Sequence, residues 1–335
     1  RVWSGSSDGR NVVLHVGVDE AGYGPLLGPL VVGVAAFRLT DDPAPGEANL
    51  LRRLRGIVVR RPRSAKACLA QRLPVPVDDS KVIHRRFGLP GLARGVGLFA
   101  SAMDAAPPAT LEDLLVRFSD LGPEPFRRVP WYRRLDLAEV PRYPWTGPLE
   151  ERFLGRHVQA LDLRVWPLTA ADFNREVDRC GNKATVLGLA SGAAVVSVLD
   201  RYPGEDAEIV FDRQGSRLDY AGYLADLFPF AAIAKRPAPP GESRYEVELP
   251  SCRLTVRFAT RADGCSLAVS WASMAAKLGR ELFMERLNAF KRVITAIAPA
   301  IAQLIQQPWP ATCLLKQMVT VLFRAHFVML VETLS

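Results

Sequence analysis

Apolar positions fall into runs of two kinds along the chain. Residues 12–18, VVLHVGV, and 29–39, PLVVGVAAFRL, are dense in β-branched side chains and bounded by glycine and proline. They predict two buried strands joined by a tight loop, most simply a hairpin. HVQALDLRVW (157–166) predicts a third strand, and AEIVFD (207–212) and CRLTVRFATRAD (252–263) two more, each ending in a carboxylate. The other runs are helical. VDDSKVI (77–83) leads into one helix, and TAADFNREV opens another with Thr169 as its N-cap. GNKATVLGLASGAAVVSVL (181–199) reads as a long apolar helix, and SLAVSWASMAAKLGRELFMERL (266–287) has helical periodicity and good helix formers. Strands interleaved with helices, the first two strands joined by a short loop, predict an α/β fold with a mixed central sheet flanked by helices.

Two stretches break the pattern. Residues 40–76 are polar and basic, and RRLRGIVVRRPRSAK (52–66) contains no acid. Residues 105–150 are rich in proline and aromatic side chains and read as an insertion or long loop layer. The expected organisation is one domain over 1–288 carrying both insertions, followed by a C-terminal tail, 289–335. At 335 residues, 49% hydrophobic and 23% charged, the chain can bury a core. Its net charge of +8 favours an anionic partner, nucleic acid first, although an arginine-rich proteome raises pI in the same way. Five scattered cysteines without a C-x-x-C give neither a zinc ribbon nor a disulfide framework, so a reduced, cytoplasmic chain is expected. No signal peptide is visible. The apolar stretch 319–331 is too short to span a bilayer and carries Arg324 and His326, so no membrane association is expected. A monomer is expected.

The candidate chemistry lies where strands end in acids: Asp19 with Glu20, Asp212 and Asp263. Single acids at such places are often turn formers. If these ends converge, however, four carboxylates share a small volume and raise one another's pKa. Divalent cations relieve that repulsion, and an all-oxygen donor set suits Mg²⁺ or Mn²⁺ rather than zinc. Two such ions about 4 Å apart can hold a phosphodiester and activate a water.

These residues also carry a resemblance. VGVDEAGYGPLLGPLVVGV (16–34) resembles the signature of the type 2 ribonuclease H family (ribonuclease HII), whose usual form is G-[IV]-D-E-A-G-R-G-P-x-x-G-P-[VL]-V. The likeness continues in order through DDSKVI (78–83), FNREVDRCGNKATVLGLASGAAV (173–195), IVFDRQG (209–215) and ATRADGCSLAVSWASMAAKLGRELFM (259–284). It implies an RNase H-like fold and a two-ion Mg²⁺ or Mn²⁺ endonuclease. Such an enzyme cuts the RNA strand of RNA/DNA hybrids and leaves 3′-hydroxyl and 5′-phosphate ends. Asp19, Glu20, Asp212 and Asp263 would be the catalytic, metal-binding acids, with Asp19 shared by both ions. Gly22, Tyr23 and Gly24 would form the loop whose backbone reads the ribose 2′-hydroxyl, and Lys81 and Lys277 would sit near phosphates. Tyr23 stands where the family has arginine, and no tyrosine follows Tyr245, although the family places one beyond the A-S-x-x-A-K helix. A diverged domain that binds nucleic acid with weak catalysis is therefore an alternative, as is a nuclease for another substrate such as branched DNA.

Other motifs add less. GYGPLLG has one residue too many for a dinucleotide loop and precedes a strand. The basic run 52–66 reads equally as a nucleic-acid grip or a solvated loop. FRRVPWYRR reads first as a loop anchored by Trp131 and Tyr132. The four histidines lie far apart and read as structural.

Overall fold

The computed structural model describes residues 13–23, 28–39, 47–60, 74–142, 149–213, 217 and 219–306. The strands are β1 (Val13–Ala21), β2 (Leu30–Leu39), β3 (Val58–Val59), β4 (Val75–Pro76), β5 (Val158–Leu168), β6 (Asp206–Asp212), β7 (Ala232–Arg236), β8 (Glu242–Glu248) and β9 (Arg253–Ala259). Seven of them form one sheet in the order β5-β2-β1-β6-β9-β8-β7, and β3 and β4 make a separate parallel pair. β1 and β2 pair antiparallel, as the short loop after β1 predicts, and β5 pairs antiparallel with β2. β6 and β9 join it parallel to β1. The α/β class with a mixed sheet flanked by helices is the one the sequence predicts.

Alternation along the strands assigns each face. Leu14, Val16 and Val18 of β1 point into one apolar cluster with the helix Lys183–Leu199. Val31, Ala35 and Phe37 of β2 point into another with the helices Ser80–Ala102 and Leu267–Gln306. Trp271 is fully buried there, its ring 5.2 Å from Phe37 and 5.5 Å from Phe99, and its indole N–H donates to the Gly95 carbonyl at 3.0 Å. The Leu267–Gln306 helix lies unusually close to the sheet. A Cβ on Gly17 would fall 2.1 Å from the Ala268 carbonyl carbon, and one on Gly33 2.0 Å from the Ala272 oxygen. Only glycine at these two places lets helix and strand backbones touch, which brings the helix's serines down to the end of β1.

Several boundaries differ from expectation. β9 ends at Ala259, so Asp263 lies not on the strand but in a 3₁₀ turn, Ala262–Gly264. The β7–β8 hairpin is not foreseen, because its turn, Pro237–Gly241, is proline-rich and its strands carry many charges. The 105–150 stretch is no mere loop. Thr110 caps a helix, Leu111–Phe118, by accepting the Asp113 N–H. Phe126 and Tyr132 then pack on Phe283 of the long helix, with centroids 5.2 and 4.9 Å away. In the basic stretch a helix, Glu47–Arg53, precedes β3. Thr169 is an N-cap as predicted, accepting the Asp172 N–H at 3.1 Å. The last helix runs on past 288 to Gln306, and the remainder of the tail lies outside the described residues. Among the described residues no single helix is long and apolar enough to cross a membrane.

A ladder of ionisable side chains crosses β1, β6, β9 and β8. His15 Nδ1 of β1 lies 3.2 Å from Glu208 of β6, Arg257 Nη1 of β9 lies 2.8 Å from Glu208, and Arg257 Nη2 lies 2.9 Å from Glu242 of β8. Burial alone would raise the Glu208 carboxyl, but His15 and Arg257 outweigh it and bring it down to about 2. A depressed carboxyl contributes stability above its unfolded value, 4.5, and loses it as pH falls towards about 2. Glu208→Gln is therefore expected to cost on the order of 2–3 kcal/mol at neutral pH. The gap to wild type should close on acidification through that window in urea unfolding, and parallel pH profiles would contradict the ladder's role.

Candidate active site

Because β1, β6 and β9 run parallel, their C-terminal ends share one edge of the sheet. Val18 is in register with Phe211, which brings Asp19 beside Asp212 on the neighbouring strand. Asp212 is in register with Ala259. From there the chain turns at Arg261 into the 3₁₀ turn that carries Asp263. The Ala262 N–H donates to Asp212 Oδ1 at 2.8 Å and ties this turn to β6. Three separate segments thus bring Asp19, Glu20, Asp212 and Asp263 to the same end of the sheet, Asp263 from a turn rather than a strand.

The long helix closes the site from one face. Ser273 Oγ donates to Ser80 Oγ at 2.8 Å and acts on Asp19 to lower its carboxyl against the other shifts. Ser270 Oγ donates to the Asp263 carbonyl at 2.6 Å. Positions 270, 273 and 277 share one helix face, so Lys277 follows one turn on. Its ammonium is taken up by Glu281 Oε1 at 2.6 Å. The DDSK segment enters from the side. Asp79 caps the Ser80–Ala102 helix by accepting the Lys81 N–H at 2.7 Å. Arg60 clamps the segment by donating to Asp78 Oδ1 at 3.2 Å and to the Asp263 carbonyl at 3.0 Å. This gives one residue of the basic run 52–66 a structural task beneath the site.

The electrostatics follow from that crowding. Asp19 is only 7% exposed, and its carboxyl is pushed well above the usual range by burial first, then by the charges of Glu20, Asp212 and Asp263. Burial and Asp212 push Glu20 up to about 7, against the pull of Lys81. Burial, Asp79 and Asp212 push Asp263 to about 6. Asp212 is raised mainly by burial, while the N–H groups of Ala262 and Arg213 and the Lys81 charge oppose the shift. Lys81, itself exposed, is the cation that acts on Glu20, Asp212 and Asp263 together. Asp79 and Ser273 are members of this environment that sequence reasoning missed. Both stand in the DDSK and A-S-x-x-A-K blocks, in which the resemblance assigns roles only to the lysines.

The donors are all carboxylate oxygens, the set that hard divalent cations prefer. Among the described residues no group of three or more such side chains already forms a metal-holding arrangement. The acids meet at the C-terminal end of the sheet, where burial and their mutual repulsion raise their carboxyls. The adjoining loop starts at Gly22, with φ +100°. Tyr23 turns its ring onto the apolar cluster around β1 and β2, and Gly24 lies outside the described residues.

No protein-family model matches the chain, and no curated protein matches it. A search of solved structures finds likeness to the crystal structure of ribonuclease H2 from Pyrococcus horikoshii OT3. The TM-score is 0.33 at 15% identity, covering 94% of this chain and 89% of that one. So distant a likeness assigns no role to any residue, and the candidate site stands on its own geometry.

Gly22 gives a direct check on the loop. A Cβ there would lie 2.5 Å from the Pro29 carbonyl oxygen and 2.6 Å from Arg280 Nε, at a φ that side chains resist. Gly22→Ala is expected to cost about 1–3 kcal/mol in thermal or urea unfolding, and a variant as stable as wild type would show that the loop is not held this way.

Proposed function

We propose that the chain is a metal-dependent endonuclease of the RNase H-like kind, hydrolysing the RNA strand of RNA/DNA hybrids to 3′-hydroxyl and 5′-phosphate ends. One observation carries the reading. Asp19, Glu20, Asp212 and Asp263 come from distant parts of the sequence and lie close enough to act on one another, in a chain of net charge +8. Gathering like charge costs stability, so its presence at the end of the sheet calls for a cationic ligand. The ordered ribonuclease HII motifs supply the substrate class.

Asp19, Glu20, Asp212 and Asp263 are the residues that would hold Mg²⁺ or Mn²⁺. Such ions, when bound, lower the pKa of water and offset charge on a phosphodiester. The remaining roles belong to the chain itself. The Glu20 N–H fixes the Asp19 carboxylate, and the Ala262 N–H fixes that of Asp212. Lys81 supplies positive charge over three of the acids and is suited to meet a phosphate. The resemblance assigns the reading of a 2′-hydroxyl, the group that separates RNA from DNA, to the main chain that starts at Gly22.

The test is cleavage of a hybrid labelled on its RNA strand, beside duplex DNA and junction DNA, with Mg²⁺ or Mn²⁺ and with EDTA. Cutting is expected in the RNA strand only and only with metal. Asp19→Asn is expected to lower it by at least about 100-fold while circular dichroism shows an intact fold. Wild-type cutting by this variant would refute the site. A preference for junction DNA would move the substrate class, and a folded wild type that cuts nothing would leave a binding role.

A further inference from the structure

Arg261 stands between β9 and the turn that carries Asp263, with φ 56° and ψ 45°. This is the left-handed region, which an arginine occupies at a cost and a glycine does not. The turn explains why the backbone adopts it. The Arg261 carbonyl accepts the Gly264 N–H at 3.0 Å, and the reversal aims the Ala262 N–H at Asp212. Arg261 itself enters that explanation only through its main chain, so glycine would serve it better. The choice of arginine is left to its side chain.

That side chain is exposed at the carboxylate end of the sheet. Upstream, both the N–H and the hydroxyl of Thr260 donate to the Gly241 carbonyl, at 3.0 and 3.1 Å, pinning the strand end against the β7–β8 turn. Nearby arginines are consumed internally: Arg244 and Arg257 by Glu242, and Arg236 by Glu246. Arg261 makes no ion pair among the described residues. An exposed guanidinium on a pinned turn, two residues from a site acid, is a planar fork placed within reach of a tetrahedral anion held at the site.

We propose that Arg261 is a substrate-binding residue that grips a backbone phosphate of the nucleic acid and sets the strand's position against Asp263. The inference rests on the nuclease reading of the site. It is tested by binding of a labelled RNA/DNA hybrid across a salt series, in Mg²⁺, with Asp19→Asn as the parent so that the strand is not cut. Arg261→Gly and Arg261→Ala are expected to weaken binding several-fold and to reduce the slope of log K against log salt by about 1. Arg261→Lys should keep the slope. Arg261→Gly should melt no lower than its parent, because it relieves the backbone while it removes the grip. Unchanged affinity and slope in Arg261→Gly would overturn the proposal. So would a lowered melting temperature in Arg261→Gly together with loss of binding in Arg261→Lys, which would mark a structural residue. A parent that does not bind the hybrid at all would refute the reading of the site, and this inference with it.

Discussion

Everything about the site depends on Asp19 being held as a buried acid where three parallel strand ends meet. Water is nearly excluded from it, at 7% exposure, and the charges nearest it are acidic. A carboxylate in that position is disfavoured twice, by lost hydration and by its neighbours. The fold offsets part of the cost with Ser273, which lowers the Asp19 carboxyl, and with the Glu20 N–H, which donates to Asp19 Oδ1 at 2.7 Å. The rest of the cost stands, and it is what holds the Asp19 carboxyl well above the usual range.

The scaffold that enforces this is simple in its causes. Gly17 and Gly33 let the Leu267–Gln306 helix press on β1 and β2, so Ser273 arrives at Asp19 and Ser270 at the Asp263 loop. The parallel register of β1 with β6 then fixes Asp212 beside Asp19. Arg60 and Asp78 hold the DDSK segment against the same loop, which puts Lys81 over the acids. Move the helix outward by the width of a methyl group and the serine, the acids and the lysine no longer share one place. Stability and site therefore draw on the same close contacts.

Much of this was legible in the sequence because local signals and tertiary demands agree. The β-branched runs of β1, β2 and β6 are buried on both faces, the cap at Thr169 precedes its helix, and the 266–287 stretch shows its helical periodicity. Asp19, Glu20 and Asp212 were readable as strand-end acids. Asp263 was readable as an acid of the site but not as part of a turn, because the apolar alternation of β9 fades into ATRAD without a glycine or proline to mark the break. The left-handed residue there is Arg261, which no propensity rule would choose. The β7–β8 hairpin was hidden by its proline-rich turn. The Leu111–Phe118 helix was hidden by the prolines around it, although Thr110 with Asp113 is a capping signal in its own right. Asp79 and Ser273 take their importance only from which segments meet, and no pattern within one segment carries that information.

The most direct measurement is the thermal unfolding of wild type and Asp19→Asn at pH 8, each in EDTA and in millimolar Mn²⁺. A site acid whose folded pKa is raised stabilises the fold only while protonated, and that contribution is lost as pH rises through its folded value. The crowded carboxylates therefore predict that Asp19→Asn melts above wild type in EDTA, and that Mn²⁺ raises the wild-type midpoint while moving the variant little. A variant less stable than wild type in EDTA, with neither protein responding to Mn²⁺, would contradict the claim that these acids are gathered to hold cations.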